Sequence, residues 1–73
     1  MEIREKLIAL CKEHSLSGIG VNLYSPQYGE ITIYLHAPDF DSWCASGTGA
    51  DFDEAFSIAL AEINEGRANA NTN

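Results

Sequence analysis

Apolar positions near the start of the chain recur every three or four residues. Ile3, Leu7, Leu10, Cys11 and His14 share one stripe, and charged residues fill the opposite face. That period predicts an amphipathic helix over residues 2–14, ended by Ser15 to Gly18. The period then changes to two. Ile19, Val21 and Leu23 alternate with Gly20, Asn22 and Tyr24, the pattern of a half-buried strand over 19–24. Ser25-Pro26-Gln27-Tyr28-Gly29 predicts a turn. Alternation resumes over 30–37, with Ile31, Ile33 and Leu35 on one face and Thr32, Tyr34 and His36 on the other. Pairing Leu23 with Ile31 also pairs Val21 with Ile33 and Ile19 with Leu35, so one hairpin register aligns all three aliphatic pairs.

Pro38-Asp39-Phe40-Asp41 predicts a second turn, and a third strand is expected over 42–46. The facing of Trp43 depends on loop length. A four-residue loop sets it opposite His36, away from the aliphatics, whereas one residue more or less turns it to the core. The need of so small a domain for buried area favours the core. Gly47-Thr48-Gly49 reads as a glycine-permissive turn. A second helix is expected from Asp51, whose carboxylate caps it, with Glu54 completing a capping box. Phe52, Ala55, Phe56, Ala59, Leu60 and Ile63 form its apolar stripe, and Gly66 is the expected stop. The order α-β-β-β-α implies an α+β fold: a three-stranded antiparallel sheet with both helices on its aliphatic face. One domain is expected over 1–66, with 67–73 a loose, disordered tail.

Length sharpens this picture. A chain of 73 residues buries only about 60% of the surface that its unfolded form exposes, so its stability margin is thin. Two cysteines, Cys11 and Cys44, are too few for a disulfide framework and read as free thiols of a reducing cytoplasm. Self-association as a homodimer is therefore an expectation. No apolar run approaches the roughly 18 residues that span a membrane, and the first residues lack a signal-peptide pattern. The expected location is the cytoplasm.

The net charge of −7 is unevenly placed. Residues 1–36 carry four acids and three bases, a sum of −1, and residues 37–73 carry seven acids and Arg67, a sum of −6. Nucleic-acid affinity comes mainly from Lys and Arg on phosphates, so this balance argues against nucleic acid as a partner. It fits a solubilising surface, or an acidic face aimed at a protein with a basic surface.

Candidate chemistry is sparse. Cys11, His14, His36 and Cys44 are the soft metal ligands. Cys11 belongs to the helix stripe, and His36 and Cys44 lack a metal-knuckle turn, so no metal or other cofactor is expected. No residue orients either histidine or Cys44 for catalysis, and no oxyanion turn is evident, so an enzyme is not expected. Asp39 and Asp41 flank a turn, and Asp51, Asp53 and Glu54 open a helix whose dipole favours acids. The same acids repel any phosphate at the Gly47-Thr48-Gly49 segment.

The order of elements, with Gly47 and Gly49 before a helix bearing Ala55 and Ala59, resembles the double-stranded-RNA-binding domain. The likeness covers nearly the whole chain as topology and residues 47–60 as motif. Asp51 stands where that family has a helix-capping serine. Phe52, Asp53 and Phe56 stand where it has the lysines that meet phosphates, so the resemblance implies the scaffold without the RNA chemistry. Residues 43–65 also resemble short phage and plasmid accessory proteins and the partial RNA-binding-like fold of HicB-type antitoxins. The charge distribution and the lack of catalytic residues point to a non-enzymatic protein-interaction module, and the phage likeness implies its kind. It would be a small acidic inhibitor of a host defence nucleoprotein, anti-CRISPR-like or otherwise anti-defence, that occludes a basic surface. A HicB-like antitoxin or a weak double-stranded-RNA-binding domain are the other implied readings. The candidate partner-binding acids are Asp39, Asp41, Asp51, Asp53, Glu54 and Glu62. The candidate aromatic anchors of the sheet face are Tyr24, Tyr34, His36 and Phe40.

Overall fold

A computed structural model describes residues 2–23, 29–40 and 42–71, the last two of these by their backbone. The element order is α1 (Ile3–His14), β1 (Gly18–Leu23), β2 (Ile31–His36), β3 (Ala45–Gly49) and α2 (Phe52–Asn71). The strands form one antiparallel sheet in the order β1-β2-β3. The α+β class, the three-stranded sheet and the two helices are those expected. The hairpin register is also as expected: Leu23 pairs with Ile31, Val21 with Ile33 and Ile19 with Leu35. The expected turn at 25–29 falls largely outside the described residues.

The third strand departs from expectation. It begins at Ala45 rather than Ser42 and runs through Gly47-Thr48-Gly49, which pair with Ile33, Thr32 and Ile31. The two glycines need no unusual backbone angle, since the positive-φ residues of the described chain are Ser15 and Gly29. They are glycines because α2 lies directly on them. A Cβ on Gly47 would stand 2.5 Å from the Ala59 backbone nitrogen and would also strike the Ala55 carbonyl oxygen. One on Gly49 would stand 2.9 Å from the Ala55 nitrogen. Glycines on the strand facing Ala55 and Ala59 on the helix let the two backbones approach closely.

This contact organises the core. Ile33, Leu35, Ala45, Ala55, Ala59 and Ile63 are fully buried, joined by Leu16, Ala37 and Phe56. Asp51 caps α2 as expected, its Oδ1 accepting the Glu54 N–H at 2.9 Å. The expected stop at Gly66 is wrong, because α2 continues to Asn71. Gly66 instead makes room for Trp43, whose ring would stand 3.1 Å from a Cβ placed there. Trp43 thus turns to the helix side of the sheet, yet it sits at the margin of the core, 39% exposed. Phe40 meets it edge-on, with ring centroids 4.9 Å apart.

Arg67, expected in a loose tail, is a structural tie. Its guanidinium donates to the carbonyl oxygens of His14 at 2.9 Å and Ser15 at 2.8 Å. It also donates to Asp39, at 3.1 Å from Nε. One side chain therefore joins the end of α1, the β2–β3 connection and α2. These carbonyls close α1, where Ser15 adopts the left-handed conformation and Leu16 N–H donates to Cys11 O.

Candidate functional site

Among the described residues, two surfaces remain once the core is accounted for. The first is the sheet face opposite the helices. Ile33 and Leu35 point to the helices, so Thr32, Tyr34 and His36 point away from them. Across β1 the matching positions are Asn22, Gly20 and Gly18, and across β3 Thr48 and Ser46 match Thr32 and Tyr34. The Tyr34 side chain lies against Gly20, and His36 lies against Gly18. The glycines set no side chain beside these two residues, of which Tyr34 is half-buried and His36 exposed. Thr32 and Thr48 share a hydrogen bond between hydroxyls at 2.9 Å. A shallow depression lined by His36, Ser42, Trp43 and Cys44 adjoins the end of this face.

The expected anchors divide on this geometry. Tyr34 and His36 share the open face. Phe40 does not belong to it, because it packs on Trp43 near Gly66. Tyr24 lies outside the described residues.

The expected acids do not converge into one patch. Asp39 is held by Arg67, and that hydrogen bond keeps its carboxyl below the usual range. Asp51 caps α2. Asp53 faces Lys6 of α1 at 3.8 Å, and Lys6 also lies 4.6 Å over the Phe52 ring. Glu54 is exposed and Glu62 half-buried on α2. Asp41 lies outside the described residues. Phe52 and Phe56 stack at 5.7 Å, with His14 tilted against Phe56. Phe52, Asp53 and Phe56 thus face α1 through Lys6 and His14.

Among the described residues no three His, Cys, Asp or Glu side chains gather as a metal site. Cys11 lines a groove beside α1, His14 meets Phe56, and His36 and Cys44 border the shallow depression. Among the described residues no helix is long and apolar enough to cross a membrane.

The second surface was missed by the sequence reading. It is an open groove of about 470 Å³ between α1 and β1, lined by Ile3, Leu7, Ile8, Cys11, Leu16 and Ile19. Arg4 and Lys12 flank it. Val21 and Leu23 are on the helix side of β1 yet 48% and 60% exposed, and Ile3 is 59% exposed. The sequence held one signal. Ile8 lies beside the Ile3, Leu7, Cys11 stripe, so α1 is apolar over a wider arc than one contact requires. In comparisons with known proteins the chain matches no family model, no curated protein and no solved structure.

Proposed function

We propose that this domain is a non-enzymatic protein-binding module that docks through its open sheet face, with its acid-rich second half drawing it to a basic partner surface. A small inhibitor that occupies the Lys- and Arg-lined nucleic-acid groove of a defence nucleoprotein is the instance this chemistry favours. The observation that supports the reading is the sidedness of the sheet. Both helices cover one face, and the other presents Tyr34 and His36 over glycines. A tyrosine held this way offers large contact area and a polar tip with little entropy left to lose. Asp39, Asp51 and Asp53 act through the summed field rather than as reaching contacts, because each already has a partner within the fold. Glu54 and Glu62, carried by α2 on the other side of the sheet, add to that field.

The test begins with affinity capture from bacterial lysate, nuclease-treated, at low and moderate salt. A single nuclease-resistant partner is expected. Tyr34→Ala with His36→Ala should then weaken binding by about 30-fold, the scale of a buried aromatic anchor. Reversal of Glu54 and Glu62 to Lys should slow association, and the effect should shrink as salt rises. Unchanged binding in both variants, with intact circular dichroism, retires the proposal. Recovery only of RNA-associated proteins that vanish on nuclease treatment supports RNA binding in its place.

A further inference from the structure

We infer that the groove between α1 and β1 is the interface of a symmetric homodimer, in which two copies pair antiparallel along their β1 edges. The resulting sheet would run β3-β2-β1-β1-β2-β3, with the two-fold axis normal to it and all four helices on one side. The inference is independent of what the opposite sheet face binds.

Four observations carry it. First, β1 is an edge strand of six residues, Gly18-Ile19-Gly20-Val21-Asn22-Leu23, with no charge and no proline. Edge strands of monomeric proteins are ordinarily blunted by one of these, because a bare row of N–H and C=O groups is a template for another strand. Second, the apolar surface beside that edge is on the side a paired strand would cover. Val21, Leu23, Ile3 and Ile8 are exposed, and no residue of α1 is buried. A two-fold axis normal to the sheet keeps these side chains on the same side in both copies, so each α1 shelters the strand of the other.

Third, charge permits the approach at this edge and opposes it elsewhere. Residues 1–36, which include α1 and β1, sum to −1, whereas the remainder sums to −6. The other edge, β3, is followed at once by Asp51, Asp53 and Glu54, where two copies repel. The order of charges along α1 is itself self-complementary. Reversing the helix about Ile8 and Ala9 sets Arg4 against Glu13 and Glu5 against Lys12 of the second copy. Fourth, the area suffices for a specific but modest interface. Six strand residues and the twelve of α1 each extend about 20 Å. Two such strips facing each other bury on the order of 1,000 Å² in total, the lower bound for a specific association.

The test is sedimentation equilibrium of the full chain from roughly 5 to 500 µM. A monomer–dimer equilibrium is expected. Leu23→Lys and Ile8→Lys each replace an exposed side chain, so both should keep the circular dichroism spectrum while raising the dissociation constant at least about tenfold. Ile58→Lys, an exposed position on α2, should leave association unchanged. Intermolecular contacts in a mixed isotope-labelled sample should connect β1 of one copy to β1 of the other, a readout that needs no variant. A chain that stays monomeric at the highest concentration overturns the inference. So does a dimer indifferent to both lysines, or one whose intermolecular contacts avoid β1.

Discussion

The two halves of this small domain are built to different standards. Around β2, β3 and α2 the backbones approach so closely that glycine and alanine are the residues that fit, and Ile33, Leu35 and Ile63 are sealed from solvent. Around α1 and β1, by contrast, the aliphatics Ile3, Val21 and Leu23 remain about half exposed or more. Burial follows the shape of the contact, not the hydrophobicity of the residues. Small residues permit a close crossing, and the close crossing excludes water. The large aliphatics of α1 stand on a helix that meets α2 through Lys6, His14 and the Arg67 tie rather than through a sealed apolar seam. The contrast separates a sealed part of the core from a part that stays partly in water.

The strongest challenge to the contrast is Gly47→Ala. The added carbon meets helix backbone on two sides, so the cost should reach about 3 kcal/mol, the upper range for overpacking. A denaturant titration that finds the variant near wild-type stability would mean the two backbones are not pinned together. Next comes Arg67→Ala, which leaves the His14 and Ser15 carbonyls without their donor and should cost about 1–3 kcal/mol. It should also alter the acid side of the stability profile. The Asp39 carboxyl is depressed in the folded state by its hydrogen bond from Arg67, so its contribution is complete above the usual carboxylate range. That contribution is lost as pH falls through the folded value, and the slope it produces should flatten in the variant.

Asp51→Ala should cost about 1 kcal/mol by removing the cap from the Glu54 N–H. Hydrogen exchange should place the loss in the first turn of α2. The smallest effect belongs to the loose half. Leu23→Ser should change the stability of the dilute chain by less than about 0.5 kcal/mol, because that side chain is already mostly in water. A large loss at low concentration would show that β1 is as integral to the fold as β3.

Much of the architecture was readable in the pattern of residues. Period-two alternation in β1 and β2 aligned three aliphatic pairs, and a slip of one residue would turn every one of them to the wrong face. Asp51 was identifiable as a cap because its short carboxylate reaches the N–H three residues on. Gly47, Gly49 and Gly66 were misread for a shared reason. Glycine marks both a turn and a place where something large comes close, and local sequence does not distinguish them. The candidate site was legible only in outline. Tyr34 and His36 followed from strand parity, but Phe40 was drawn to Trp43 and Asp39 to Arg67, pairings made across loops.

By itself the chain determined its element types, the hairpin register and the uneven spread of charge, because each depends on neighbours within a few residues or on matching two short periods. The tertiary structure decided which glycines lie under a helix and that α2 runs on to place Arg67 beside the end of α1. It also decided that the aliphatics of α1 and β1 remain partly in water. These outcomes depend on how closely two elements meet, and that distance is set by the packing of the whole domain rather than by the residues of either element alone.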